Sequence, residues 1–136
     1  MSAIEESRLL VRVPIAIRWR DLDAFNHVNN ATFLTYLEES RLHWLAGIEG
    51  CWRDASMQPV LAATNLNFRL PIQWPGEVIV ELRVERLGDR SLTISHRILG
   101  ADGDTLHGDG HVVIVWTDPA SGRSIALPEA VRTACS

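Results

Sequence analysis

"RWRDLDAFNHVNNATFLTYLEESR", residues 18–41, decides how this chain folds, because two periodicities meet inside it. Upstream, Val11, Val13, Ile15 and Ile17 recur at every second position, the spacing of a strand with one buried face. Downstream, Leu34, Leu37, Trp44 and Leu45 follow three- and four-residue spacing, which gathers them on one side of a helix; Phe33 and Tyr36 widen that side. Between the two lie Asp21, Asp23, His27, Asn29 and Asn30, more polar chemistry than a plain connection needs. The pattern predicts a strand from Leu9 to Trp19, a polar loop from Arg20 to Asn29 and a helix from Ala31 to Gly47. Asn29 or Asn30 supplies the N-cap, whose side-chain oxygen accepts from an orphan helix amide, and Gly47 the stop.

Beyond a loop over residues 48–58, the sequence reads as strands. Val60, Ala62, Thr64, Leu66 and Phe68 are expected on one face, opposite Asn65, Asn67 and Arg69. "WPGE" (residues 74–77) turns the chain into Val78, Val80, Leu82 and Val84, with Glu81, Arg83 and Glu85 on the polar side. "GDR" (88–90) leads to Leu92, Ile94, His96 and Ile98, "GADGD" (100–104) to a long strand ending near Thr117, and "DPASGR" (118–123) turns again before a short helix after Pro128. Tight turns join antiparallel neighbours, and one long helix covers only one face of such a sheet, so the class is α+β. With no repeat or linker, residues 1–136 make one domain.

A hydrophobic fraction of 46% supports a true core, and a net charge of -4 argues against nucleic acid as a partner. Cys51 and Cys135 form no close-spaced motif, so neither a zinc site nor a disulfide framework is expected. The first residues lack an apolar run behind a basic stretch, and nothing approaches the roughly 18 apolar residues of a membrane span. The expectation is a cytoplasmic protein with no membrane partner.

"DLDAFNHVNNATFLTYLEESRLHWL" resembles the opening motif of the hotdog-fold acyl-CoA thioesterases of the 4-hydroxybenzoyl-CoA thioesterase type. That motif runs Asp-x-Asp-x-x-x-His-Val-Asn-Asn, then an aromatic and Tyr-x-Glu-x-x-Arg; here Asp21, Asp23, His27, Val28, Asn29, Asn30, Phe33, Tyr36, Glu38 and Arg41 fill it. Asn26 stands where many relatives have glycine, and asparagine tolerates the left-handed backbone such a turn demands. The resemblance implies an antiparallel sheet wrapped around one long central helix, a homodimer or homotetramer, and active sites between subunits. It also implies an acyl-CoA substrate, with acyl carrier protein as the other carrier to consider. Arg90 and Ser91 flank the turn where hotdog proteins meet the nucleotide.

The residues themselves suit that chemistry. Asp23 precedes a helix whose first N–H groups lack intrahelical partners and favour negative charge. Backbone amides of Val28, Asn29 and Asn30 are candidate donors to the oxyanion that forms at a thioester carbonyl. An ionised Asp23 orients and deprotonates water, or attacks the carbonyl itself; both routes stay open. A thiol, with a pKa of about 8.5, leaves as thiolate with little help, so one carboxylate suffices and no metal or cofactor is required. His27 either bonds the substrate carbonyl or fixes the loop. Asp21 is expected to be structural, and Glu38, three residues before Arg41, to be an ion-pair partner and the reserve carboxylate. His107, Asp109 and His111 would share one face of a strand, a spacing that can hold zinc or iron but reads more simply as a polar row. Two alternatives remain. One is an (R)-specific enoyl-CoA hydratase, although Asp23 and His27 stand four apart rather than that family's five. The other is an acyl-CoA-binding hotdog protein without turnover.

Overall fold

A computed structural model describes residues 7–136, and its elements follow the predicted order. They are β1 (Leu9–Ala16), α1 (Asn30–Ala46), β2 (Gln58–Phe68), β3 (Glu77–Leu87), β4 (Ser91–Gly100), β5 (Leu106–Thr117), a two-residue β6 (Ser124–Ile125) and α2 (Glu129–Cys135). The antiparallel sheet runs β1-β3-β4-β5-β2, with β6 paired to the end of β5. β1 stops earlier than its alternation predicts because residues Trp19–Asp21 coil into a short 3-10 turn. The Asp21 carboxylate closes that turn by accepting from the Arg18 amide at 3.0 Å.

The core lies between the sheet and α1. Val13, Ile15 and Ile17, then Val78, Val80 and Leu82, Leu92, Ile94 and Ile98, and Val112, Ile114 and Trp116 line the inner face and are buried. Against them α1 presents Phe33, Tyr36, Leu37, Ser40, Trp44 and Leu45. Each large apolar side chain buried here contributes about 1.5–3 kcal/mol relative to exposure. Leu34, expected on this face, is 42% exposed, since the buried stripe centres on positions 33, 37, 40 and 44 and leaves 34 on its flank. Asn29 caps the helix: its Oδ1 accepts from the Ala31 amide at 2.8 Å. Val131 and Cys135 of α2 add buried side chains to the core.

Three features depart from simple alternation. First, the register of β2 against β5 slips between Leu61 and Ala63, so Leu61 pairs with inward Ile114 while Thr64, Leu66 and Phe68 pair with Val112, Gly110 and Gly108. The expected single face from Val60 to Phe68 is therefore split; the extra residue of the bulge puts Val60 and Leu61 in the opposite phase. Second, Glu81, placed by alternation on the solvent side, does lie on the outer face yet is 1% exposed. Its oxygens accept from Arg12, Arg83 and Arg97, whose guanidiniums cover it. The cross-strand register continues this cluster into a row, Arg12–Glu81–Arg97–Asp109–Asn67, spanning all five long strands. Third, His96 points inward at 1% exposure, and its Nε2 lies 2.9 Å from the Asn65 carbonyl oxygen. Nε2 must carry the proton to donate there, so Nδ1 is the bare nitrogen, and it has no partner among the described residues.

Candidate active site

The polar loop before α1 is a small closed structure. Leu22 and Val28 form an antiparallel bridge, the Asp23 amide donates to the His27 carbonyl at 2.9 Å, and the Asn26 amide donates to the Asp23 carbonyl at 3.1 Å. Asn26 adopts φ 60°, the left-handed conformation expected at this position. One oxygen of Asp23, Oδ1, accepts from the Phe25 amide at 2.9 Å and holds the turn. The other has no hydrogen-bond partner among the described residues, and Asp23 lines a cavity.

That cavity, about 390 Å³, sits where the start of α1 meets the end of β2. It is lined by Asp23, Phe25, His27, Val28, Asn30 and Phe33 from the loop and the start of α1, and by Phe68, Arg69, Leu70 and Pro71 from the end of β2 and the chain after it. The His27 imidazole makes no hydrogen bond to any described residue. Sequence reasoning missed Phe25, Phe68, Arg69, Leu70 and Pro71. The residues 69–76 between β2 and β3 cross the open end of the sheet beneath the helix start, and an apolar run behind a strand carries no sign of that path.

Of the three candidate amides, two are occupied. The Val28 N–H donates to the Ile72 carbonyl and the Asn29 N–H to the Asp21 carbonyl, each at 2.9 Å. These bonds correct the expectation that both amides serve an oxyanion; they lock the helix start instead. The Asn30 N–H, first in the helix, has no acceptor among the described residues, as the geometry of a helix N-terminus requires.

Asp21 has the structural role expected of it. Burial opposes its charge, but the Tyr36 hydroxyl at 2.7 Å and the Arg18 amide and guanidinium outweigh that and hold its carboxyl below the usual range. Burial, and then the same Asp21 bond, drives the Tyr36 phenol well above its ordinary value. Glu38 and Arg41 border a separate hollow further along α1; among the described residues no close salt-bridge contact joins them, but burial lowers the Arg41 guanidinium and the Glu38 charge opposes that, so the expected i,i+3 pairing acts at longer range. In the His107–His111 row, Asp109 pairs with Arg69 at 3.1 Å and His107 Nδ1 lies 3.2 Å from the Leu70 carbonyl. Among the described residues no three His, Cys, Asp or Glu side chains converge as a metal would require.

Arg90 and Ser91 lie at the β3–β4 turn, the end of the sheet opposite the cavity. Arg90 donates to the Ser124 carbonyl at 2.9 Å. Within one chain, the structure does not bring these two residues to Asp23.

Comparison with known proteins agrees with this architecture. A family profile described as the thioesterase-like superfamily matches residues 17–135. A solved structure of a candidate acyl-CoA thioesterase from Xanthomonas campestris is 51% identical, covers 80% of this chain and 93% of its own, and superposes with a TM-score of 0.75. A thioesterase from Thermus thermophilus, solved with coenzyme A and Zn, is 35% identical over 93% of this chain and 92% of its own, with a TM-score of 0.79. The long-chain acyl-CoA thioesterase FadM of Escherichia coli is 26% identical over 90% of this chain and 94% of its own. These similarities reach the superfamily as a whole rather than the 4-hydroxybenzoyl-CoA type in particular.

Proposed function

Since the chain belongs to the thioesterase-like superfamily and has its hotdog fold, we propose that it hydrolyses acyl-CoA thioesters to a free acid and coenzyme A, with Asp23 as the reacting carboxylate. The observation that carries this reading is the cavity that both Asp23, with one carboxylate oxygen unpartnered among the described residues, and Asn30, with its amide open, help to line. A thioester carbonyl seated there has a carboxylate beside its carbon and the positive end of α1 near its oxygen. As the tetrahedral centre forms, charge develops on that oxygen, and a single well-placed amide is typically worth about 3 kcal/mol of barrier. The C–S bond then breaks and the thiolate departs. The Asp23 oxygen either takes the proton of the attacking water or bonds first to the carbonyl carbon as an anhydride that water opens. His27, free to rotate towards the carbonyl, is the second polar group of the site.

The assembly follows from the same frame. β2 is an edge strand paired only to β5, with Val60 and Leu61 each 45% exposed. Pairing with a second copy, antiparallel along β2, would bury that edge and bring the partner's Arg90–Ser91 end to the cavity's side of the joint sheet. A homodimer of this kind supports a cationic contact to the coenzyme A phosphates; among the described residues lining the cavity, Arg69 is the cation one chain supplies.

Thiol release from a panel of acyl-CoAs tests the reading. Asp23→Asn keeps an acceptor for the Phe25 amide and loses the charge, and is expected to lower turnover by about 10²-fold or more. Full activity in that variant removes Asp23 from the mechanism. Enoyl-CoA hydration without thiol release would replace the hydrolase reading with the hydratase one.

A further inference from the structure

Two groups of opposite charge lack a close partner within one chain. One is the second oxygen of Asp23. The other is the Arg41 guanidinium, half-buried on the flank of α1, with no hydrogen bond or close ion pair among the described residues. Burial works against its charge, and only the more distant Glu38 opposes that. A charge partly withdrawn from water is costly unless something pairs with it. Arg41 borders a hollow of about 120 Å³, shared with Glu38, Leu42, Pro59 and Leu61. Within one chain this hollow does not reach the Asp23 cavity, which Arg41 does not line. From Asn30 to Arg41 the helix rises roughly 16 Å, more than one side chain spans.

A second copy changes the distances. β2 (Gln58–Phe68) is a sheet edge, and two such edges paired antiparallel about a two-fold axis set the start of each strand beside the end of the other. Centred pairing places Pro59 and Leu61 of one copy opposite Asn67 and Asn65 of the other, with the strands about 4.8 Å apart. The axis of an antiparallel pair passes through the joint sheet, so both α1 helices lie on the same side of it. The hollow of one copy therefore abuts the Phe68 end of the other, where the Asp23 cavity lies. Leu42 and Leu61, exposed in one chain, lie along this strip and are covered by the same contact.

We propose that Arg41 works in the neighbouring copy's site: across the β2 pair its guanidinium faces the open oxygen of the partner's Asp23 and holds that carboxylate for reaction. The proposal rests on the Asp23 and homodimer readings above and names the residue each copy supplies to the other. A guanidinium and a carboxylate oxygen, each short of a partner in its own chain, satisfy one another. His27 and Arg69 are the other ionisable groups lining the cavity, and Arg69 is already paired with Asp109 at 3.1 Å. Arg41 acts through Asp23 as a positioning residue, so its loss should lower kcat more than it changes KM.

Mixed dimers test this. Asp23→Asn and Arg41→Ala chains carrying different affinity tags are co-expressed, and the mixed dimer is isolated through both tags. Thiol release by the Arg41→Ala homodimer is expected to fall by about tenfold or more in kcat, with Arg41→Lys, which keeps the charge, recovering part of the loss. In the mixed dimer one site carries both substitutions and the other carries neither, so activity should return to about half of wild type. A mixed dimer no more active than its parents leaves Arg41 serving its own chain and overturns the proposal, as does a wild-type protein that runs as a monomer in gel filtration. A cross-link reads the same contact without turnover. In a Cys51→Ser background, which removes the exposed thiol, Asp23→Cys combined with Arg41→Cys is treated with a short bis-maleimide, the two single-cysteine chains serving as controls. A covalent dimer specific to the pair supports the contact even if no thioester is cleaved, which would sink only the hydrolase reading. A bridge within one chain, or none, overturns the contact while leaving hydrolysis intact.

Discussion

Replacing Glu81 by glutamine should destabilise the fold, although the residue stands on the outer, nominally solvent-facing side of the sheet. Its Oε2 accepts from Arg12 Nε at 3.0 Å, with Arg12 Nη2 2.8 Å away, and its Oε1 accepts from Arg83 Nε at 3.0 Å and from Arg97 Nε and Nη2 at 3.0 and 2.6 Å. Burial opposes the charge, but the Arg97, Arg83 and Arg12 bonds outweigh it and hold the carboxyl down at about 2, against an ordinary 4.5. At about 1.4 kcal/mol per pH unit, that gap sets a ceiling near 3 kcal/mol on what ionised Glu81 contributes. The realised figure is smaller. Guanidiniums rather than hydrocarbon cover the carboxylate, and Arg12 is itself 56% exposed, so water screens part of the attraction. A loss of about 2 kcal/mol at neutral pH is expected for Glu81→Gln, which leaves three guanidiniums around a neutral amide. The sign of the pH dependence follows from a depressed folded-state pKa. The contribution is complete above about 4.5 and disappears as pH falls towards 2. His96 acts in a higher window: burial keeps it neutral down to about 4, against 6.5 when exposed, so its share of stability is lost between those values on acidification. Urea unfolding at fixed protomer concentration, stepped from about pH 7 to about pH 2, separates the two. The variant should keep the upper slope and lose the lower one. Equal stability of wild type and variant at neutral pH, or a deficit that persists unchanged at the acid end, refutes the reasoning.

Tyr36→Phe removes the 2.7 Å bond to Asp21 and leaves a buried carboxylate short of a donor; a loss of about 1–3 kcal/mol in urea unfolding and an upward shift of the Asp21 carboxyl by NMR titration are expected. Gly110→Ala places a methyl against the Asn65 backbone at φ 155°, where an L side chain is already strained, and should loosen β2 from β5, seen as faster amide exchange along Ala63–Phe68 than along β3.

The element order and the loop geometry were readable because each rests on local chemistry. Alternation marks a strand wherever one face is buried, an asparagine before a helix marks its cap, and Asn26 announces a left-handed turn. What was unreadable is whatever depends on partners distant in sequence. Glu81 looks like any solvent-side glutamate until the register sets Arg12 and Arg97, 69 and 16 residues away, on either side of it. Leu61 changes sides because of a bulge that no residue type announces. The Val28 and Asn29 amides look free from the helix rule, but a carbonyl from residue 72 and another from residue 21 had already claimed them. Arg90 and Ser91 belong to the site only if another chain delivers them, and a single sequence does not say where its neighbour lies.

On the proposal that Asp23 is the reacting carboxylate, the loop must hold it rigidly and still leave it an oxygen for chemistry. A carboxylate that spent both oxygens on backbone amides would be a good turn and a poor catalyst; one that spent neither would swing freely, and its entropy would have to be recovered in the transition state. Here Oδ1 is tied to the Phe25 amide, which restrains the group, while the second oxygen keeps no partner among the described residues and Asp23 lines the cavity. The two amides lost to Ile72 and Asp21 serve the same end, because they hold the first turn of α1 at a set distance from that oxygen and leave the Asn30 N–H as the open donor. If this division of labour is correct, Asp23→Ala, which frees the Phe25 amide as well as removing the charge, should loosen residues 23–27 in hydrogen exchange, whereas Asp23→Asn should not, while both lower turnover by about 10²-fold or more. Identical exchange in the two variants would mean that the turn stands without the carboxylate, and that its orientation has some other cause.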